Sequence, residues 1–280
     1  MIDATLDILR FRAGYGAQTV AWPDGAARFP ARFRGLPVVA PDRCADGCSA
    51  CASACPTDAI LDAGKASMRV DLGRCVFCPA CEEACKEGAL RFTRDFRLSA
   101  RTRDELVVTG AAPLLARALD EKARRLFGRS LRLRQVSAAG CNGCEAELNA
   151  SGNIQFDSAR FGVQFVASPR HADGIVVTGP VSANMREALL KTWEATPAPR
   201  IAVAVGACAC SGGIFRDSPV QSNGLPGVPE IPVDLFIPGC PPHPITFLDA
   251  LLRLLGRLEE DELRLAGTGI VGADAEPAAP

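Results

Sequence analysis

Three cysteine-bearing motifs in the second half of the chain each follow a short apolar run and a glycine. The runs are rich in β-branched and aliphatic residues, which is typical of buried parallel strands. In an open parallel sheet, ligands bind at the edge where the carboxyl ends of the strands meet. The sequence therefore predicts that thiolates from distant segments converge there on an iron–sulfur cluster or, as an alternative, on zinc. The cysteines concerned are Cys141, Cys144, Cys208 and Cys240.

Strand and helix patterns alternate throughout this region. Such alternation predicts a doubly wound, flavodoxin-like parallel α/β domain over residues 131–265. The expected strands are 131–136, 163–167, 174–178, 201–205 and 233–237. The expected helices are 145–151, 183–195 and 246–259.

Thirteen cysteines in 280 residues are the unusual feature of the composition. Disulfides in a small secreted domain are one use for so many cysteines. However, the count is odd, the cysteines cluster at metal-ligand spacings, and the N-terminus has no basic segment followed by an apolar run. We therefore expect a cytoplasmic metalloprotein, with two domains because 280 residues exceed a usual single core. The net charge of −1 gives no case for nucleic-acid binding. Since no apolar stretch is long enough to span a membrane, any membrane role would come through a partner.

Residues 44–96 contain an internal repeat. The run Cys48-Ser-Ala-Cys51-Ala-Ser-Ala-Cys55 recurs as Cys78-Pro-Ala-Cys81-Glu-Glu-Ala-Cys85. This C-x2-C-x3-C spacing resembles that of bacterial two-cluster ferredoxins, in which the last cysteine of each run ligates the other cluster. It predicts a preceding α+β ferredoxin domain, and it fits less well with a zinc ribbon, which uses separated C-x2-C pairs. The expected ligands of one cluster are Cys44, Cys48, Cys51 and Cys85. Those of the other are Cys75, Cys78, Cys81 and Cys55.

The first run departs from the pattern at its start. Cys44-Ala-Asp-Gly-Cys48 is one residue longer than the usual C-x2-C. A positive φ at Gly47 would let the additional residue bulge outward, so Cys44 is retained as a ligand.

The remaining segments are expected to lie outside the two domains. Residues 1–43 are proline-rich, which predicts an extended arm rather than long helices. Residues 97–130 form a connector, with an amphipathic helix expected at 113–127. The tail, residues 266–280, is rich in glycine, alanine and proline and is expected to be disordered.

Several stretches together carry a family resemblance. In the second domain they are Cys141-Asn-Gly-Cys-Glu-Ala-Glu147, 161–173, 178–181, Gly206-Ala-Cys-Ala-Cys-Ser-Gly-Gly-Ile-Phe215 and 238–244. Residues 131–256 thereby resemble the small subunit of membrane-bound, energy-converting nickel–iron hydrogenases of the formate hydrogenlyase type. That subunit is similar in turn to the 20-kDa subunit of respiratory complex I. Residues 10–95, with Thr19-Val-Ala-Trp-Pro23 and Phe33-Arg-Gly-Leu-Pro37, resemble the eight-cysteine ferredoxin subunit of the same complexes, which implies a fusion of the two.

The resemblance implies an electron-transfer subunit with three [4Fe–4S] clusters. The cluster on Cys141, Cys144, Cys208 and Cys240 would lie nearest the active site of a partner large subunit. The two ferredoxin clusters would exchange electrons with an external donor or acceptor. Membrane subunits of the same complex would hold the chain at the cytoplasmic face of the inner membrane. The chain itself has no second pair of CxxC motifs of the nickel-binding kind, so we expect it to bind no nickel and to carry no catalytic residue.

Three alternatives remain open at this point. The first is a complex I-like NADH–quinone oxidoreductase subunit, although such subunits have two adjacent cysteines where this chain has Cys141-x2-Cys144. The second is a stand-alone ferredoxin-type carrier, for which a second domain of this size would be unnecessary. The third is a zinc-binding structural protein.

A few further polar residues and one thiol accompany these motifs. Cys210 is interpreted as a buried structural thiol. His171 and His243 are interpreted as structural residues. Glu145 and Glu147 are interpreted as acids favoured in the first turn of a helix.

Overall fold

The computed structural model describes residues 2–64, 68–109, 119, 124, 127, 128 and 130–258. Most of the connector helix expected at 113–127 lies outside these residues, as does the whole of the tail expected to be disordered. Within the described part of the chain, no helix has both the length and the apolar character needed to cross a membrane.

The N-terminal segment begins with helix α1, Ile2–Tyr15, which corrects the expected extended arm. The expectation of an arm rests on prolines, but the first of them is Pro23, so nothing interrupts helical hydrogen bonding before it. The helix ends at Gly16, whose φ is +63° and whose amide donates to Arg12 O at 3.2 Å. The following residues run without regular structure up to the first strand.

Short antiparallel strands and two short helices make up the cysteine-rich segment. Its elements are β1 (Pro37–Val39), α2 (Ala50–Ser53), β2 (Ile60–Leu61), β3 (Arg69–Asp71), α3 (Ala80–Ala84), β4 (Leu90–Phe92) and β5 (Val107–Val108). Strand β1 pairs with β4, and β3 lies between β2 and β5. The two helices occupy equivalent positions in the sequence repeat, one in each cysteine run.

A five-stranded parallel sheet forms the second half of the chain. Its elements are β6 (Leu131–Ser137), α4 (Gly143–Ser151), β7 (Val163–Phe165), β8 (Gly174–Thr178), α5 (Ala183–Ala195), β9 (Ile201–Val205), α6 (Ala207–Ser211), β10 (Leu235–Ile237) and α7 (Pro244–Leu254). The strand order is β10-β9-β8-β6-β7, and all four pairings are parallel. Numbered within the sheet, this is the 2-1-3-4-5 order of a flavodoxin-like sheet, and it confirms the predicted doubly wound domain.

The two faces of the sheet are covered by different elements. On one face, residues such as Val136, Ile175 and Val177 pack in a core that also contains Leu189 and Trp193 of α5 and extends into the cysteine-rich segment. On the other face, alternate strand residues share a core with α4 and with the fully buried apolar residues of α7. Strands buried on both faces explain the nearly continuous apolar runs in the sequence.

Several elements have boundaries that differ from those expected, and for β10 and α7 a side-chain hydrogen bond accounts for where the element begins. Strand β10 begins at Leu235 rather than 233, because the Asp234 carboxylate already accepts the amide of Ala202 at 2.9 Å. Helix α7 begins at Pro244, two residues early, since Nδ1 of His243 accepts the amide of Ile245 and serves as an N-cap.

Candidate metal centre at the edge of the parallel sheet

The carboxyl ends of the central strands meet at one cavity, and four cysteines line it. Cys141 lies in the turn after β6, Cys144 is in the first turn of α4, and Cys208 is in α6 directly after β9. The fourth, Cys240, follows β10 in the loop that leads to α7. The chain departs from the sheet in different directions after β6 and β8, which is the switch point where such folds bind ligands.

Glycines give the four thiols their space. A Cβ on Gly206, whose φ is +89°, would lie 2.4 Å from Cys144 Sγ. A Cβ on Gly213 would lie 2.9 Å from Cys208 Sγ. Larger residues at these positions would displace a sulfur, so the backbone here is arranged around the thiols.

The surroundings of three of the four thiols disfavour their charged forms. Burial raises the pKa of Cys208 to about 11, and the nearby Cys240 and Cys141 contribute to the rise. Burial, followed by the charges of its neighbours, likewise raises the pKa of Cys144 and of Cys240. Because thiolates are the ligands of metals, four of them can coexist here only with a cation that offsets their mutual repulsion. The donor set and the glycine cradle therefore fit an iron–sulfur cluster.

Glu145 also lines this cavity. It is expected from the sequence only as an acid in the first turn of a helix, but it makes specific side-chain hydrogen bonds. The side chain is buried, and its Oε1 accepts hydrogen bonds from Ser137 Oγ and Thr178 Oγ1, both at 2.6 Å. Burial acts to raise its pKa, but these two hydroxyls and the backbone outweigh burial and leave the pKa below the usual value. The two hydroxyls come from the ends of β6 and β8, so no local sequence pattern could have revealed the pair.

A second cavity lies in the cysteine-rich segment. The cysteines that line it are Cys55, Cys75, Cys78 and Cys81. Burial and the neighbouring cysteines raise the pKa of Cys75 and of Cys81 to about 12 in each case. The structure thus brings together the four residues predicted for one ferredoxin cluster, while their ligation of a cluster stays a prediction.

Backbone amides point at several of these sulfurs. The amide of Ala59 donates to Cys55 Sγ at 3.2 Å, and the amide of Ala89 donates to Cys85 Sγ at the same distance. Both bonds span four residues, so the sequence repeat is also a repeat of hydrogen bonds. Amides directed at sulfur stabilise negative charge on it, as ligand thiolates require.

The third cysteine set is less completely assembled. Burial raises the pKa of Cys51, and the nearby Cys85 and Cys44 contribute to the rise, so these three lie close together. Cys48 is exposed. Gly47 has the expected positive φ, +73°, and its amide donates to Gly64 O at 3.3 Å, which accommodates the additional residue.

Within the described ranges, no group of three or more His, Cys, Asp or Glu side chains could hold a single metal ion.

The remaining residues singled out from the sequence do not line the two cavities. Cys210 is fully buried, and its thiol donates to Ala204 O at 3.8 Å. His171 is exposed in a short turn. His243 packs against three rings, those of Phe29, Phe33 and Phe156, with centroids 4.9, 5.8 and 5.4 Å away. Burial lowers its pKa to about 4, so it is neutral near pH 7.

The two cysteine-lined cavities are neighbours. Cys78, from the cysteine-rich segment, is close enough to contribute to the raised pKa of Cys240, behind burial and Cys141. An isolated antiparallel bridge between Ala100 and Phe236 also joins the two parts of the chain. Its two backbone N–H···O hydrogen bonds are 3.1 and 2.9 Å long.

Comparisons with known proteins match the second half of the chain. Residues 141–254 match the family described as NADH ubiquinone oxidoreductase, 20 Kd subunit. Formate hydrogenlyase subunit 7 of Escherichia coli K12 is 42% identical over 150 residues, which are 54% of this chain and 57% of that protein. The match thus spans little more than half of that relative. Probable membrane-bound hydrogenase subunit mbhJ of Pyrococcus furiosus is 42% identical over 134 residues, 48% of this chain and 79% of that protein.

Two further matches are to an NADH-quinone oxidoreductase and to a solved structure. A subunit of the NADH-quinone oxidoreductase of Citrifermentans bemidjiense is 40% identical over 137 residues, 49% of this chain and 78% of that protein. Among solved structures, a chain of the archaeal membrane-bound sulfane sulfur reductase is 29% identical with a TM-score of 0.42, and the match covers 51% of this chain and 78% of that one.

Proposed function

The chain belongs to the family of the 20-kDa subunit of NADH ubiquinone oxidoreductase, and on that premise we propose that it is the electron-transfer subunit of a membrane-associated oxidoreductase complex of the hydrogenase type. The observation that carries the proposal is the set of four cysteines around one cavity at the edge of the parallel sheet. That set lies within the stretch that matches the family, residues 141–254. A cavity lined mainly by thiols and glycines suits an electron relay better than a catalytic site.

The proposal assigns three [4Fe–4S] clusters to the chain, which supply one-electron transfer when bound. One is held by the cysteines at the sheet edge, Cys141, Cys144, Cys208 and Cys240. The second is held by Cys55, Cys75, Cys78 and Cys81. The third is held by Cys44, Cys48, Cys51 and Cys85.

The geometry also supports an order for the three sites. Because Ser211, in the helix of Cys208, donates to Gly73 O two residues before Cys75, the site of Cys55, Cys75, Cys78 and Cys81 is adjacent to the sheet-edge site. The set containing Cys44 and Cys51 meets the second set where α2, which carries Cys51, packs against α3, which carries Cys81. Electrons would therefore pass through the Cys75 site on their way between the Cys44 site and the sheet edge.

The partners follow from this order. A large subunit with the active site, including any nickel, would cover the sheet-edge site, and an external donor or acceptor would meet the cysteine-rich segment. Membrane subunits of the same complex would hold the assembly at the cytoplasmic face of the inner membrane. The names of the relatives, which include a formate hydrogenlyase and a membrane-bound hydrogenase, support this class of complex.

Iron content and electron paramagnetic resonance of anaerobically prepared protein test the proposal. Three four-iron clusters require about 12 iron atoms per chain. Cys208→Ala should reduce the value to about eight and remove one reduced-cluster signal, because it deletes a ligand of the sheet-edge site. Cys210→Ala is the matched control, since it deletes a buried thiol two residues along the same helix, and it should keep all the iron. Equal iron in the two variants would refute the assignment of Cys208.

One alternative has a specific observation in its favour. The 40% identity to a subunit of an NADH-quinone oxidoreductase covers 78% of that protein, nearly the coverage found for the hydrogenase subunit. A complex I-like role would make quinone the acceptor. The Cys141-x2-Cys144 spacing favours the hydrogenase type. Purification of the native complex tests the alternative, because nickel in the partner large subunit would refute a complex I-like role.

A further inference from the structure

The turn that presents Cys75 is held from both sides by residues outside it. This turn, Asp71-Leu-Gly-Arg-Cys75, is closed by the amides of Arg74 and Cys75, which donate to Asp71 O at 3.1 and 3.0 Å. The Asp71 carboxylate also accepts the Arg74 amide, at 3.2 Å. The position of Gly73 in this turn therefore determines where Cys75 lies.

Ser211 reaches this turn from the other half of the molecule. It is the last residue of α6, the helix that carries Cys208, and its hydroxyl is buried. Its Oγ lies 2.8 Å from Gly73 O and 3.2 Å from Ala207 O. A hydroxyl has one proton, so the shorter contact, to Gly73, is the better hydrogen bond. A direct hydrogen bond thus links the Cys75 turn to the Cys208 helix.

Arg103 supports the same turn on another side. Its Nη2 lies 2.7 Å from Asp71 Oδ2, and the Asp71 side chain is only 5% exposed. The guanidinium also packs directly on the turn, since a Cβ added to Gly73 would lie 2.8 Å from Arg103 Cζ. The ion pair therefore packs directly against the Cys75 turn, with the Asp71 carboxylate buried.

We propose that Ser211, together with the Asp71–Arg103 ion pair, is a positioning device that fixes the separation of the Cys75 site and the sheet-edge site for electron transfer. The inference rests on the proposed function, since it needs a cluster in each site. In the step concerned, one electron leaves one site and arrives at the other, and no bond forms or breaks. None of these residues is a cluster ligand, so their effect is on the distance and the contact between the two sites.

The test compares Ser211→Ala with Thr192→Ala in the full-length chain. Thr192 is a matched control, because its hydroxyl also bonds the carbonyl four residues before it, Ala188 O at 2.8 Å, in a helix without cysteines. Three readouts are needed: iron content, the magnetic interaction between the two reduced clusters, and hydrogen exchange of the amides at 74 and 75. Ser211→Ala should keep its iron, show a weaker magnetic interaction, and exchange these amides severalfold faster. Thr192→Ala should match the wild type in all three.

Arg103 gives an independent second variant. Arg103→Lys keeps a cation beside Asp71 and should retain most of the magnetic interaction, whereas Arg103→Gln should reduce it. If Arg103 had only a structural role, both variants would lose stability, and the magnetic interaction would not be weaker in Arg103→Gln than in Arg103→Lys.

The outcomes separate the two claims. Wild-type protein without iron in these sites would overturn the proposed function and this inference together. Full iron with an unchanged magnetic interaction in Ser211→Ala would overturn only the inference. Loss of iron from Ser211→Ala, with Arg103→Gln indistinguishable from the wild type, would also overturn it, because the hydroxyl would then retain a cluster rather than set a distance.

Discussion

Substitution of Glu145 by glutamine tests whether a buried anion is built into the sheet-edge site. The carboxylate accepts two hydroxyl donors at 2.6 Å, from Ser137 and Thr178. A hydrogen bond to a charged group contributes about 1.5–3 kcal/mol, and a neutral one about 0.5–1.5. Glutamine keeps the acceptor oxygen but loses the charge, so each bond should weaken by about 1–1.5 kcal/mol. The expected cost of Glu145→Gln is therefore about 2–3 kcal/mol.

Glu147, two residues further along α4, is the matched control. Burial raises its pKa, which means that its charge is unfavourable in the folded protein. Glu147→Gln should therefore leave the stability unchanged or increase it near pH 7. The same chemical change is thus expected to act in opposite directions at the two positions.

Thermal unfolding followed by circular dichroism under anaerobic conditions measures the difference. For a unit of this size about 1 kcal/mol corresponds to about 2–4 °C, so Glu145→Gln should lower Tm by about 4–12 °C. Because the folded-state pKa of Glu145 lies below its usual value of 4.5, the stabilisation is complete above that pH. It is lost only as the pH falls through the lowered folded-state pKa. The Tm difference from the wild type should therefore be constant between about pH 5.5 and 8. Equal shifts for the two variants, or no shift for Glu145→Gln, would refute the reasoning.

Two further predictions concern the surroundings of the sheet-edge cysteines. Gly206→Ala should lower the iron content by about four atoms per chain, because the new Cβ would lie 2.4 Å from Cys144 Sγ at a φ of +89°. An unchanged iron content would contradict the claim that Gly206 leaves space for this sulfur. Burial holds His243 neutral and lowers its pKa from 6.5 to about 4. Its contribution to stability is therefore complete above pH 6.5 and is lost as the pH falls towards 4, because the unfolded chain takes up the proton first. Between pH 7 and 5 the wild type should lose about 1–2 kcal/mol that His243→Asn, which keeps a capping group, does not lose. Parallel pH profiles of the two proteins in chemical denaturation would count against this.

The parallel sheet can be predicted because its signals are local. The runs at 174–178 and 201–205 are apolar at nearly every position, as strands covered on both faces must be, and the structure has strands with the same bounds. The cysteines that follow the runs at 131–136, 201–205 and 233–237 are expected at one edge of the sheet because parallel strands end there together. Helix α1 is not predicted, because the expectation of an extended arm rests on prolines. The first of these is Pro23, which lies after the helix and does not constrain it.

The contacts that define the site chemically cannot be predicted in the same way. Glu145 meets Ser137 and Thr178 only because β6 and β8 are neighbours in register, and register is a property of the whole sheet. The bond from Ser211 to Gly73 joins residues 138 positions apart. Serine is a common residue in turns and at helix ends, so nothing in the sequence distinguishes Ser211 from serines that bond to water.

The buried groups at the sheet edge oppose the addition of negative charge to this site. Burial disfavours the thiolate form of Cys144 and Cys208, and a bound cationic group would allow these sulfurs to ionise. Glu145, held as an anion by two hydroxyls, adds negative charge beside them. An electron that arrives at this site under the proposed function must therefore enter a region whose fixed charge already opposes it. Under the proposed function, such a site would hold an electron weakly and release it readily to a partner, as a low-potential relay requires.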